Sequence, residues 1–238
     1  GKVKIIKRPY KDEYERLKKL DLELEDHSLF LSLCKKYKII PCTTIFSLSK
    51  IKMISDLKFE TVKVASFDCA SHRLIEEITK FDFKHIIVST GATFNREIKK
   101  TASILKESKK KFTLLHCISI YPTPLKEGHL ERINYLKRFS DSVGLSDHSN
   151  PEIDDNILSA MAMTYKIDFI EKHFTVLDKD KSKDGPVSVN PSQLKELSDL
   201  TKYSKEQLID YLKDKNIDYE ILKGMANRDL SVLELLNR

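Results

Sequence analysis

The chain has 238 residues, 40% apolar and 33% charged, with a formal net charge of +6; that suffices for one large or two small domains around a sizeable core and excludes a disordered chain. Lys and Glu are intermixed with no long basic tract, zinc-ligand spacing or Trp, so no pattern argues for nucleic-acid binding. Apolar runs of about four residues fall far short of the 18 or more a membrane helix needs, Gly1-Lys2-Val3 opens no signal peptide, and Cys34, Cys42, Cys69 and Cys117, without a C-x-x-C pair, read as reduced thiols of a cytoplasmic protein.

In chain order, residues 3–6 are a short candidate strand, 7–24 read as a loop, and Glu25-Asp26 ahead of Leu29 marks a helix start. Six segments then share one style, apolar or β-branched residues running into small, polar or ionisable ones: 39–46, 61–66, 85–91, 112–117, 143–148 and 167–175. Their centres lie about 20 to 31 residues apart, the rhythm of repeated βα units. Between them, 94–105 places Ile98, Ala102 and Leu105 on one helical face behind Thr93, and 153–165 places Ile157, Ala160 and Met161 on another behind Ser149-Asn150-Pro151. Helices alternating with near-continuous apolar strands cover both faces of a parallel sheet, which leaves a (β/α) barrel or a doubly wound sheet. No G-x-G-x-x-G follows a strand, which lowers the dinucleotide-binding version. Residues 192–213 and 230–237 look helical, a last barrel helix and a tail, so the expected division is a partial barrel over 1–200 and a helical tail over 201–238.

A barrel of this kind gathers its chemistry at the C-terminal ends of the strands. Period-two alternation puts Ser146 and His148 on one side of their strand and Glu171 and His173 on one side of theirs. On spacing alone, the two histidines fit either a divalent-metal pair with open positions or imidazoles satisfied by internal hydrogen bonds. Lys63 in an otherwise apolar strand requires an anion or a carboxylate, and Ser66 closes the same segment. The Ser89-Thr90-Gly91 turn can offer N–H groups to a phosphate or serve as ordinary cap chemistry. Ser119 and Tyr121 follow the fourth segment, and Tyr121-Pro122-Thr123-Pro124 is a stiff extended loop.

Read in order, VKVAS (62–66), IIVSTGAT (86–93), LLHCISIYPTPL (114–125), VGLSDHS (143–149), IEKHFT (170–175) and VSVNPSQLKEL (187–197) resemble the N-acetylneuraminate (sialic acid) synthase family over roughly residues 20–200. The resemblance implies a (β/α)8 TIM barrel that condenses phosphoenolpyruvate with an N-acylated amino-hexose, such as N-acetylmannosamine, to give a nine-carbon 2-keto sugar acid and phosphate. It implies Mn or Mg on His148 and His173 as a Lewis acid for the sugar aldehyde, with Glu171 beside the second histidine and Tyr121 in the catalytic set. Lys63, Ser66, Lys84, Ser89, Ser119, Tyr121 and Ser146 match positions that hold phosphoenolpyruvate, with Lys63, Lys84 and the 89–91 turn expected to form its anion pocket. A homodimer is expected.

Four departures stand out. Ser119 replaces a common Asn, and Gly185-Pro186-Val187 replaces Gly-Pro-Asp, so a sugar contact is lost or supplied by Asp184. The family's C-terminal antifreeze-like domain has no room, and its first strand, a Glu followed by Asn-His, is not found. The barrel is therefore expected to lack its first βα unit, and the chain to be a piece of a longer protein. The competing reading is a non-catalytic barrel remnant serving as a scaffold or regulatory subunit.

Overall fold

The computed structural model describes residues 10–236, so the candidate strand at 3–6 lies outside the described residues. The chain divides into two compact units, Gly1–Pro41 and Cys42–Arg238. In the first, helix α1 (Tyr10–Lys18) occupies part of the stretch expected to be a loop. Residues 10–18 contain no Gly or Pro and carry Lys, Glu, Arg and Leu, which lose little side-chain freedom in a helix. Helix α2 (Leu24–Tyr37) starts near the expected signal; Asp26 reaches back to accept the Glu23 N–H at 2.9 Å, and Lys38 at φ 57° closes the C-terminus.

In the second unit, β1 (Cys42–Thr44), α3 (Ile51–Asp56), β2 (Thr61–Val64), α4 (His72–Thr79), β3 (His85–Ser89), α5 (Asn95–Glu107), β4 (Lys111–Cys117), α6 (Arg132–Leu136), β5 (Val143–Asp147), α7 (Ile157–Met163), β6 (Phe169–Phe174), β7 (Ser188–Val189) and α8 (Pro191–Leu200) alternate as the rhythm requires. All six expected strands form, each parallel to the next, in the order β1 to β7. The seventh, two residues long, pairs His173 with Ser188 and Phe174 with Val189. Among the described residues no ladder joins β7 back to β1.

The sheet curls. Lys63 on β2 reaches Glu171 on β6 at 3.2 Å, whereas four strand spacings of a flat sheet would hold the two backbones about 19 Å apart. His85 on β3 and Phe169 on β6 likewise bring their rings to 5.4 Å. The curl makes one face an interior and leaves the other to the helices. On β2 the completely buried Val62 and Val64 alternate with Lys63, and the same period recurs on β5, where Ser146 pairs with Glu171 and Asp147 with Lys172.

The sequence boundary at residue 200 does not coincide with a structural one. Helix α9 (Lys205–Asp214) buries Leu208 and Leu212, an i, i+4 pair, and packs on α7; Leu222 is also completely buried. The segment ends in α10 (Val232–Leu236). The expected helix over 192–213 is broken at Ser204, which begins a new helix by accepting the Gln207 N–H while Gln207 accepts its own. No helix among the described residues is long and apolar enough to cross a membrane.

Candidate active site

Parallel pairing carries the period of two from strand to strand, so Cys117, Ser146 and Glu171 form one inward row across β4, β5 and β6. The central acceptor is Glu171: its Oε1 receives the Ser146 hydroxyl at 2.7 Å and lies 3.2 Å from Lys63 Nζ. The strand lysine thus has the counter-charge its burial demands, in a carboxylate four strands away.

Two residues beyond this row, His148 and His173 face each other with ring centroids 5.2 Å apart, and the Tyr121 ring lies over His148 at 4.1 Å and edge-on to His173 at 6.1 Å between ring centres. The Tyr-Pro loop is tied to the end of β5 by the Thr123 N–H, which donates to His148 O at 2.8 Å. His148 Nδ1 lies 3.2 Å from Ile118 O and 3.8 Å from Cys117 Sγ. A carbonyl only accepts, so Nδ1 carries the proton and the Nε2 lone pair is left for a ligand. His173 Nδ1 is 3.6 Å from Asp184 Oδ2, which brings Asp184 to the site. Burial holds both imidazoles below the ordinary histidine value, with each neighbouring carboxylate opposing the shift, and His148 lowers His173 further. Both are therefore neutral near pH 7, the form that ligates metal. Burial raises the Tyr121 phenol, keeping it protonated.

A second cluster closes the mouth on the β2–β4 side. Ser66 Oγ donates to Cys117 Sγ at 3.3 Å and accepts the Gly91 N–H at 3.2 Å. Gly91 is required by space: a methyl group there would meet Ser119 Oγ, Cys117 Sγ at 2.8 Å and Ser66 Oγ at 2.9 Å. Ser89 Oγ is completely buried and has no hydrogen-bond partner among the described residues. A buried hydroxyl in that state is short of a partner that a ligand oxygen can supply.

The structure thus gathers Lys63, Ser66, Ser89, Ser119, Tyr121, Ser146, His148, Glu171 and His173 at one end of the sheet. Lys84 does not join them. It precedes β3, at the N-terminal end of the strands, where its exposed ammonium pairs with Glu60. The expected anion pocket therefore loses one of its two lysines, because the strand direction carries Lys84 away from the mouth. Sequence reasoning also missed two supports. Cys117, a buried free thiol, shares the inward face with Leu115 and contacts His148; and Asp147 and Lys172, one residue from each histidine, form a completely buried ion pair of 3.0 Å on the opposite face.

Among the described residues no three His, Cys, Asp or Glu side chains are grouped to hold a metal ion. The two-histidine set with a free Nε2 nevertheless suits a divalent ion whose other positions belong to water and substrate.

A family model, that of the NeuB family, matches residues 4–213. An N,N'-diacetyllegionaminic acid synthase from Campylobacter jejuni is 29% identical over 238 residues, 94% of this chain and 69% of that one. A pseudaminic acid synthase from Helicobacter pylori is 26% identical over 193 residues, 80% of this chain and 55% of that one. The chain spans only about half the length of most other curated relatives it matches. Among solved structures, an N-acetylneuraminic acid (sialic acid) synthetase from Leptospira borgpetersenii aligns with a TM-score of 0.73 at 26% identity, over 96% of this chain and 74% of that one. A truncated 3-deoxy-D-arabino-heptulosonate 7-phosphate synthase from Thermotoga maritima, at 14% identity and a TM-score of 0.61 over 81% of this chain and 74% of that one, shares the fold. With the family model covering most of the chain, and the strand-end motifs meeting at one mouth of a parallel barrel-like sheet, this chain belongs to the NeuB family.

Proposed function

We propose that the barrel mouth is the active site of a sugar-acid synthase that joins phosphoenolpyruvate to the open-chain aldehyde of an N-acylated amino-hexose. The observation that carries this reading is the convergence of the neutral His148 and His173, 5.2 Å apart, on the same mouth as the Lys63–Glu171–Ser146 chain. Relatives named as legionaminic, pseudaminic and sialic acid synthases support the product class, and they differ in the sugar.

Lys63 supplies the fixed positive charge for the phosphoenolpyruvate anion, exchanging part of its contact with Glu171 for the substrate. Ser66, Ser89 and Ser119 add hydroxyl donors near Gly91, whose lack of a side chain lets Ser66, Ser119 and Cys117 close in on it. His148 and His173 would hold Mn or Mg, and such an ion supplies a Lewis acid that polarises the aldehyde. In the reaction, C3 of phosphoenolpyruvate bonds to the aldehyde carbon, water adds at C2, and the C2–O bond breaks to release phosphate, leaving a 2-keto acid. Glu171, held by Ser146 and Lys63, is the carboxylate placed to take the proton of that water. Asp184, beside His173, stands where the family's Gly-Pro-Asp contact to the sugar would otherwise be missing.

The test is phosphate release from phosphoenolpyruvate with a panel of N-acylated hexosamines, with and without Mn. Release that needs both sugar and metal is expected; hydrolysis indifferent to sugar would contradict the reading.

A further inference from the structure

A second polar cavity lies behind β4. His116 and Cys117 alternate on that strand: Cys117 contacts His148 in the mouth, while His116 turns outward and places its Nε2 2.7 Å from Gly128 O. There a cavity of about 270 Å³ is enclosed by the 90–96 turn, His116, Arg132 and the C-terminal segment around Arg228. It falls below the roughly 300–1,000 Å³ of pockets for drug-sized ligands, so it suits a compact ion rather than a sugar.

Its charge is unbalanced. Arg132 is 6% exposed, yet its Nη1 donates only to neutral acceptors, Asn95 Oδ1 at 2.8 Å and Ala226 O at 3.1 Å. No carboxylate pairs with it among the described residues, and its other contact is the face of Tyr135, 4.7 Å from the ring centre. Arg228, with a side chain 7% exposed, gives its two Nη groups to Glu234 at 2.6 and 2.7 Å, but its buried Nε has no partner. Arg96 stands exposed at the rim, and the first turn of α5 adds the positive end of a 13-residue helix. Against three guanidiniums stand Glu234 and the exposed Asp229. Buried guanidiniums without counter-charge are costly, and the fork of Arg suits planar or tetrahedral oxyanions.

We propose that this cavity binds a small oxyanion, phosphate or carboxylate, between Arg132 and Arg228, with Arg96 at the rim. The ligand ties the C-terminal segment to the barrel, since Ala226 and Arg228 belong to that segment and Asn95, Arg132 and His116 to the barrel. Burial, with the two guanidiniums adding to it, pushes His116 down to about 3, so it stays neutral and contributes no competing charge.

The test measures protection of amides 226–236 from hydrogen exchange against concentration of inorganic phosphate, and separately of pyruvate, at constant ionic strength. It uses Lys63→Met, in which the barrel mouth is weakened as an anion site. Saturable protection is expected, stronger with whichever of the two anions the site takes. Arg132→Gln should weaken it about tenfold or more and Arg96→Gln, at an exposed position that leaves folding intact, by a smaller factor. Absence of protection by either anion, or protection unchanged in Arg96→Gln and in a folded Arg132→Gln, would overturn the proposal. The site does not rest on the synthase reading: protection in this variant, together with no turnover by the unsubstituted chain, would leave this cavity standing and that reading fallen.

Discussion

Lys63 sits at the junction of two demands, neutralised by Glu171 in this structure and needed by an anionic substrate. Lys63→Met should therefore raise the KM for phosphoenolpyruvate by about tenfold or more while moving the KM for the sugar far less; equal changes in steady-state kinetics would contradict the assignment. His148→Ala and His173→Ala should each abolish metal-dependent turnover while far-UV circular dichroism and cooperative unfolding persist, and unchanged metal binding in the double variant would refute the ligand pair. Gly91→Ala tests the close approach at the mouth. A methyl group forced against Cys117, Ser66 and Ser119 should destabilise by about 1–3 kcal/mol in denaturant titration and depress phosphoenolpyruvate binding with it. At this scale the sequence was informative where alternation alone decides the outcome. Ser146 with His148, and Glu171 with His173, share a face as the period requires. The partner of Lys63 was illegible, because it lies four strands away and is brought near only by the curl of the sheet.

Between β5 and β6, the buried pair Asp147–Lys172 fastens the strands one residue before each histidine, and it faces away from the mouth. Asp147 also accepts from the Ser149 N–H, the Ser149 hydroxyl and the Ser159 hydroxyl, all within 2.8 Å, while Lys172 Nζ donates to Ser149 O at 3.0 Å. Removing one partner leaves the other charge buried, so Lys172→Met should cost about 3–5 kcal/mol in unfolding free energy. A loss below 1 kcal/mol would show that the pair is not the fastening. Six strands were readable because each is a near-continuous apolar run with a polar end. The two-residue β7 carries too little pattern to be seen, and α1 escaped notice because its helical stripe is only Tyr10, Tyr14 and Leu17 among charged residues. Lys84 was misplaced for a directional reason: a residue just before a strand lies at the opposite end of the barrel from one just after it.

For the whole molecule, the sequence set residues 201–238 apart, whereas their buried leucines and the bonds of Arg132 to Ala226 O and of the Leu130 N–H to Leu222 O attach them to the barrel unit, and the Arg228–Glu234 clasp ties the segment to itself. Burial raises the Glu234 carboxyl, but Arg228 and the Ser231 N–H and hydroxyl outweigh it and hold the group below its usual value. A depressed carboxyl stabilises the fold above its unfolded value and loses that contribution as pH falls through the folded one. Amide exchange in 226–236 should therefore accelerate below about pH 4 ahead of global unfolding, and Glu234→Gln should remove that difference. The NeuB motifs made the family legible, but they are silent on the cavity behind β4, whose arginines belong to no strand-end motif. The central claim is that the barrel mouth joins phosphoenolpyruvate to an aldehyde with loss of phosphate. Phosphoenolpyruvate labelled with ¹⁸O at the bridging position, incubated with the protein, Mn and N-acylated hexosamines, tests it most directly. The account predicts phosphate carrying the label, in equal amount to a new 2-keto sugar acid and only when sugar is present; unlabelled phosphate, or release without sugar, would contradict it.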